Sequence, residues 1–141
     1  MPVKRSASGY ADTVAALINA IEERGLTLFT RIDHAAGARA IGLQLADEEV
    51  VVFGNARAGT PLMAADPRIG IELPLRILVW REGDNVLVGY RDPRELEATY
   101  DVGAQRETLA QMASLIEAVA AEAAAIAPPA VLSPPGRRPQ R

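Results

Sequence analysis

Asp33 stands beside the chain's single histidine, His34, at the end of a strand-like run. A carboxylate next to an imidazole can orient the ring and stabilise the charge it gains on taking a proton, which makes it a general base. Adjacent residues of a strand point to opposite faces, so the two act together only where the strand breaks between them. The local alternative is that Asp33 caps a following helix and His34 lies on its first turn, and the capping preference of Asp favours that alternative.

Gly54-Asn55-Ala56-Arg57-Ala58-Gly59-Thr60 follows a strand-like run and precedes a helix-like one, the setting of a phosphate-binding loop. The two glycines have the G-x-x-x-x-G spacing, but Thr60-Pro61 stand where that motif needs Lys and Ser or Thr. Without the lysine, nucleotide hydrolysis loses its main electrostatic partner. A weaker chemistry survives, in which exposed amides, the Thr60 hydroxyl and Arg57 hold a carboxylate or phosphate. Its bland counterpart is a Gly54-Asn55 turn followed by Thr60 as N-cap, with Pro61 at the first helical position.

Other reactive groups are poorly placed. There is no G-x-S-x-G, and the serines (Ser6, Ser8, Ser114, Ser133) fall near the ends or on the last helix. Asp47-Glu48-Glu49 reads as a solvated loop before a strand. Trp80 and Tyr90 sit in strands and could wall a pocket, although aromatics in strands are more often core.

The elements that must position these groups follow from periodicity. Val14, Leu17, Ile18 and Ile21 recur at helical spacing, with Ser8 or Asp12 as cap and Gly25 just past the end. Leu26 to Ile32 is expected as a strand, with Leu26, Leu28, Thr30 and Ile32 on one face. His34 to Leu43 reads as a short helix, and Val50 to Phe53 as a buried strand. Thr60 to Asp66 is a helix ended by Pro67. Leu75–Arg81 and Val86–Arg91 flank Glu82-Gly83-Asp84-Asn85 as a hairpin, and Asp92-Pro93-Arg94-Glu95 is a capping box.

The longest element, about 104–126, spaces Leu109, Met112, Ile116, Val119, Ala123 and Ile126 by three and four. That is a seam for a coiled coil or for the domain's own interior, and Leu115 widens it towards the second. Pro128-Pro129 stops it. Strands and helices without regular βαβ alternation give an α+β fold with a mostly antiparallel sheet and helices on one face.

The composition bounds the rest. The 141 residues make one domain, expected over 1–127, and contain no cysteine, which excludes disulfide scaffolds, thiol catalysis and cysteine-bound metals. One histidine excludes a multi-histidine metal centre within one chain, and no metal or cofactor is expected. The net charge is −3; residues 128–141 hold three arginines and no acid, so the remainder carries −6. An acidic body lacks the basic face that binds nucleic acid. The Pro/Arg-rich stretch 128–141 is expected as a disordered tail. No run is long and apolar enough for a membrane span, and a cytoplasmic location is expected.

Ile32-Asp33-His34-Ala35-Ala36, Val52-Phe53-Gly54-Asn55, Gly59-Thr60-Pro61-Leu62-Met63, Leu73-Pro74-Leu75 and Tyr90-Arg91-Asp92-Pro93, in that order and spacing, resemble the bacterial and archaeal family called domain of unknown function 302. The resemblance covers about Tyr10 to Tyr100. One departure is Ala56, where the family usually has proline. The resemblance implies a TATA-binding-protein-like α+β fold, with a curved antiparallel sheet backed by helices, and a homodimer; it implies no activity.

The leading expectation is therefore a homodimeric domain binding a small molecule, with anions among the candidates, at one rim formed by Asp33, His34, Asn55, Gly59 and Thr60. The alternatives are a protein-interaction module working through the 109–126 seam, and an enzyme with His34 as general base oriented by Asp33.

Overall fold

The computed structural model describes residues 1–125. The last seam position, Ile126, and the expected tail lie outside these. Five strands form one antiparallel sheet in the order β1-β5-β4-β3-β2. They are β1 (Val3–Arg5), β2 (Thr27–Asp33), β3 (Glu48–Gly54), β4 (Leu75–Glu82) and β5 (Asn85–Tyr90). The helices are α1 (Tyr10–Glu23), α2 (His34–Ala40), α3 (Ala56–Ala65) and α4 (Arg106–Ala125). Short 3-10 turns occupy Pro67–Glu72, Pro93–Ala98 and Gly103–Gln105. The architecture is the expected α+β, with a long C-terminal helix.

Alternation along the strands decides which sheet face is covered. Val51 and Phe53, Leu75, Ile77 and Val79, and Val86, Val88 and Tyr90 are buried together with Val14, Leu17 and Ile21 of α1 and Leu109, Met112, Ile116 and Val119 of α4. Each large aliphatic removed from water in this way contributes about 1.5–3 kcal/mol. The five described seam residues of α4 are all buried. The seam therefore belongs to the domain's own interior and offers no coiled-coil surface.

Several local readings change. The register of β2 against β3 slips between Leu28 and Thr30, leaving Phe29 as the extra residue of a bulge. Leu28 opposes Phe53 on the covered side, but beyond the bulge Arg31 opposes Val51 there, and Thr30 and Ile32 turn to the open face. The expected single face of Leu26, Leu28, Thr30 and Ile32 is thus broken in two, because one added residue inverts a period-two pattern. Glu48 and Glu49 begin β3 instead of forming a solvated loop, and Glu49 is only 3% exposed. Trp80 is half-buried on the open face, where its Nε1 donates to Glu82, and is not core. Val3 to Arg5 supply the three-residue edge strand β1, paired with β5.

Caps also shift. Gly9, not Ser8 or Asp12, precedes α1. Asn55, not Thr60, caps α3: its Oδ1 accepts from the Arg57 amide at 2.8 Å, and Pro61 falls inside the helix. Ala56 therefore occupies the first helical position, one where proline is also well tolerated. The expected hairpin closes at Gly83-Asp84, with Gly83 at φ 60°.

Candidate functional site

The register of β2 and β3 fixes where the five expected site residues lie. Asp33 opposes Glu49 at one end of β3, whereas Asn55 follows Gly54 at the other. Seven extended residues separate those ends by roughly 20 Å. Asn55, Gly59 and Thr60 are brought together; Asp33 and His34 are not with them, and no single rim holds all five.

Asp33 and His34 also part from each other. Asp33 Oδ1 accepts from the Ala36 amide at 2.8 Å, the capping role that starts α2. Its residue lines a broad hollow of about 570 Å³ between α1 and β2, while His34 borders a groove of about 500 Å³ on the open face of the sheet. An oriented Asp–His pair is not formed, which leaves the general-base reading without its second member.

The hollow beside α1 is dominated by a fixed ion pair. The Nε and Nη2 of Arg31 both donate to the buried Glu49 carboxylate. The Tyr10 hydroxyl is buried nearby without a hydrogen-bond partner, and the Arg81 guanidinium lies 5.9 Å from the centroid of its ring. Burial, then the charges of Glu49, Asp33 and Asp47, push the Tyr10 phenol up to about 12. A neutral phenol is the consequence, since a phenolate there would be both desolvated and repelled.

Asn55, Gly59 and Thr60 line a smaller cavity of about 220 Å³ between the start of α3, the Pro67–Glu72 turn and the middle of α4. Its walls are mainly apolar: Phe29 from the bulge of β2, Met63 from α3, Leu73 and Pro74 from the approach to β4, and Met112 and Leu115 from α4. Gly54, Gly59 and Gly70 keep it open. A Cβ on Gly54 would meet Pro74 at 3.4 Å and Phe29 at 3.7 Å, and one on Gly70 would meet Met63 Sδ at 3.4 Å. Among the described residues no charged side chain lines the cavity.

The anion chemistry expected at this loop lacks most of its backbone donors. The Arg57 amide is taken by Asn55 Oδ1, and the Ala58 and Gly59 amides donate to the Asn55 carbonyl at 3.0 and 3.2 Å. Arg57 itself is exposed and does not line the cavity. What remains at the mouth is the Asn55 side-chain nitrogen and the Thr60 hydroxyl, two polar groups on an apolar wall.

Asp66, at the end of α3, holds the two sides of the cavity in place. It is buried, accepts from the Asp101 amide at 2.9 Å just before α4, and receives Arg68 through Nε at 3.0 Å and Nη2 at 2.8 Å. Those hydrogen bonds from Arg68 and Asp101 hold its carboxyl far below the usual range. Sequence reasoning finds the Asn55–Thr60 part of this site through its glycine spacing. It misses Phe29, because a bulge has no signature in a seven-residue strand, and Met63, Met112 and Leu115, because an apolar residue lining a cavity looks like one filling a core.

Comparison with known proteins places this geometry. The profile described as domain of unknown function DUF302 matches residues 3–120, nearly all of the described chain. Proteins named fluoride-specific ion channel FluC 1 from Brucella suis biovar 1 (strain 1330) and Brucella abortus biovar 1 (strain 9-941) are each 36% identical over 99 residues, 70% of this chain. The matched segment spans only 39% and 37% of those two proteins. Among the described residues no helix is long and apolar enough to cross a membrane. The crystal structure of an uncharacterized conserved DUF302 protein from Bacillus stearothermophilus superposes with a TM-score of 0.78 at 15% identity, covering 86% of this chain and 96% of that one. At that identity the likeness is one of fold.

Proposed function

The chain belongs to the family described as domain of unknown function DUF302, and we propose that it is a small-molecule-binding domain, assembled as a homodimer, whose ligand enters the cavity formed by α3, the Pro67–Glu72 turn and α4. The observation that carries this reading is the cavity's mainly apolar lining with two polar side chains, Asn55 and Thr60, in it, the usual build of a small-molecule site. Asn55, Gly59 and Thr60 are its expected members. The homodimer draws support from β2, an edge strand on which Phe29 is 54% and Ile32 46% exposed. An edge strand that exposes apolar side chains offers its unpaired backbone to a second copy of the chain.

The test uses the methionines. Of three in the chain, Met63 and Met112 line the cavity and Met1 lies over Gly89 on the open face. With ¹³C-methyl-labelled methionine, titration with naphthalene should move the Met63 and Met112 resonances and leave Met1 in place. If all three stay still, or all move alike, the cavity is not a binding site. Light scattering after size exclusion tests the dimer, which a monomer at high concentration would sink.

A second reading, an interaction module without a ligand, is favoured by Ile41, Leu43 and Leu45, all exposed in the connection between α2 and β3. The segment similar to this chain makes up under two fifths of proteins named as fluoride-specific ion channels, which supports a module that accompanies other domains. The α4 seam is not its working surface.

A further inference from the structure

The lining of the cavity narrows the chemistry of its occupant. This inference rests on the binding reading just given. Size comes first: an apolar cavity of about 150 Å³ accepts a single benzene ring, so about 220 Å³ admits two fused rings. Shape follows from the side chains of the lining. Gly54, Gly59 and Gly70 add no side chain to the lining, where Pro74, Leu73 and Met63 already stand in contact distance of their missing Cβ atoms, so the remaining space is shaped by the other lining groups. Phe29 adds a ring, and Met63 and Met112 add sulfurs, both of which favour aromatic partners.

Charge comes next. With no charged side chain among the described residues of the lining, and with the Arg57, Ala58 and Gly59 amides already engaged, an anion or cation would give up its hydration without meeting a counter-charge. The ligand is therefore neutral. The polar handle is Asn55. Its cap bond settles the orientation of the amide, since the atom facing the Arg57 N–H at 2.8 Å must be the oxygen. The other end of the amide, Nδ2, carries two N–H donors and no lone pair to offer. It calls for an acceptor on the ligand.

We infer that the cavity takes a neutral, planar, two-ring aromatic molecule carrying a hydrogen-bond acceptor that receives Asn55 Nδ2. Quinoline and naphthalene share that outline, and only quinoline has the acceptor; 2-naphthoate adds a charge. The variants Asn55→Asp and Asn55→Ser both keep an oxygen to cap α3 while removing the amide donor.

The experiment measures the three affinities through the Met63 and Met112 methyl resonances for the wild-type protein and both variants. The quinoline-to-naphthalene affinity ratio should fall about threefold to tenfold in both variants, the worth of one hydrogen bond. 2-Naphthoate should bind the wild type more weakly than either neutral compound. An unaltered ratio in both variants overturns the role of Asn55, and tight 2-naphthoate binding overturns neutrality; either leaves the cavity a binding site. Silence of both methionines towards all three compounds overturns the binding reading itself.

Discussion

Gly59 of α3 faces Leu73 across the cavity, and a Cβ placed on it would stand 3.6 Å from Leu73 Cδ1 and 3.8 Å from Met63 Cε. These are ordinary contact distances, so the cavity has room for a methyl group at this point and for little more. Gly59→Ala should fold and gain about 0.5–1 kcal/mol, because alanine loses less backbone freedom inside a helix. Gly59→Leu should fill the space and abolish naphthalene binding. Urea unfolding and the methionine titration separate the two effects; undiminished binding by Gly59→Leu would place the ligand elsewhere.

Gly89 on β5 is the opposite case. A Cβ there would lie 3.0 Å from Trp80 Cζ3 and from Met1 Cε. Met1 can swing away, but the indole is held by its hydrogen bond to Glu82 at 2.9 Å. Gly89→Ala should therefore cost about 1–3 kcal/mol by overpacking. Trp80 is the chain's one tryptophan, so its fluorescence should shift with the loss of stability. A variant as stable as the parent, with unchanged emission, would show that the open face yields more readily than these distances imply.

Asp66 makes the fold sensitive to acid. Its folded pKa is depressed below the ordinary 3.8, so its contribution is complete above that value and is lost as the pH falls through the folded pKa. Asp66→Asn should lower the melting temperature at pH 7, and the gap to wild type should narrow at pH 3 and below. A gap independent of pH would mean that the Arg68 and Asp101 bonds survive without the charge.

Tyr10 reports from the other end of the pH scale. Its phenol is pushed up to about 12, so the folded state loses stability as the pH rises from about 10, where the unfolded chain ionises, through the folded value. Glu49→Gln should bring the Tyr10 titration down by part of the shift only, since burial is the larger cause. Ultraviolet titration of the wild type against Tyr10→Phe isolates this residue from the other two tyrosines. A Glu49→Gln titration identical to wild type would remove the charge from the explanation.

Ile116 separates the two roles once open to the α4 seam. It is buried between the sheet and the helices, so Ile116→Asp should unfold the domain and not merely split an oligomer. Circular dichroism distinguishes the outcomes: a folded monomer would show that the seam works between chains.

The sequence alone determined the features that depend on neighbours in the chain. Helical spacing located α1 and α4, the Gly83-Asp84 turn located the hairpin, and Asp33 and Asp92 announced the helical segments they cap. These are local energies, set by backbone conformation, caps and side-chain periodicity within a few residues. Tertiary structure decided what needs a partner distant in sequence. The bulge at Phe29 is a matter of pairing with β3; it sends Arg31 to the covered side, where Glu49 can be buried against it, and Phe29 to the cavity. The same pairing places Asp33 and Asn55 at opposite ends of one strand, dividing a single expected rim into separate hollows. Strand register is a long-range choice between two faces, and one extra residue reverses it.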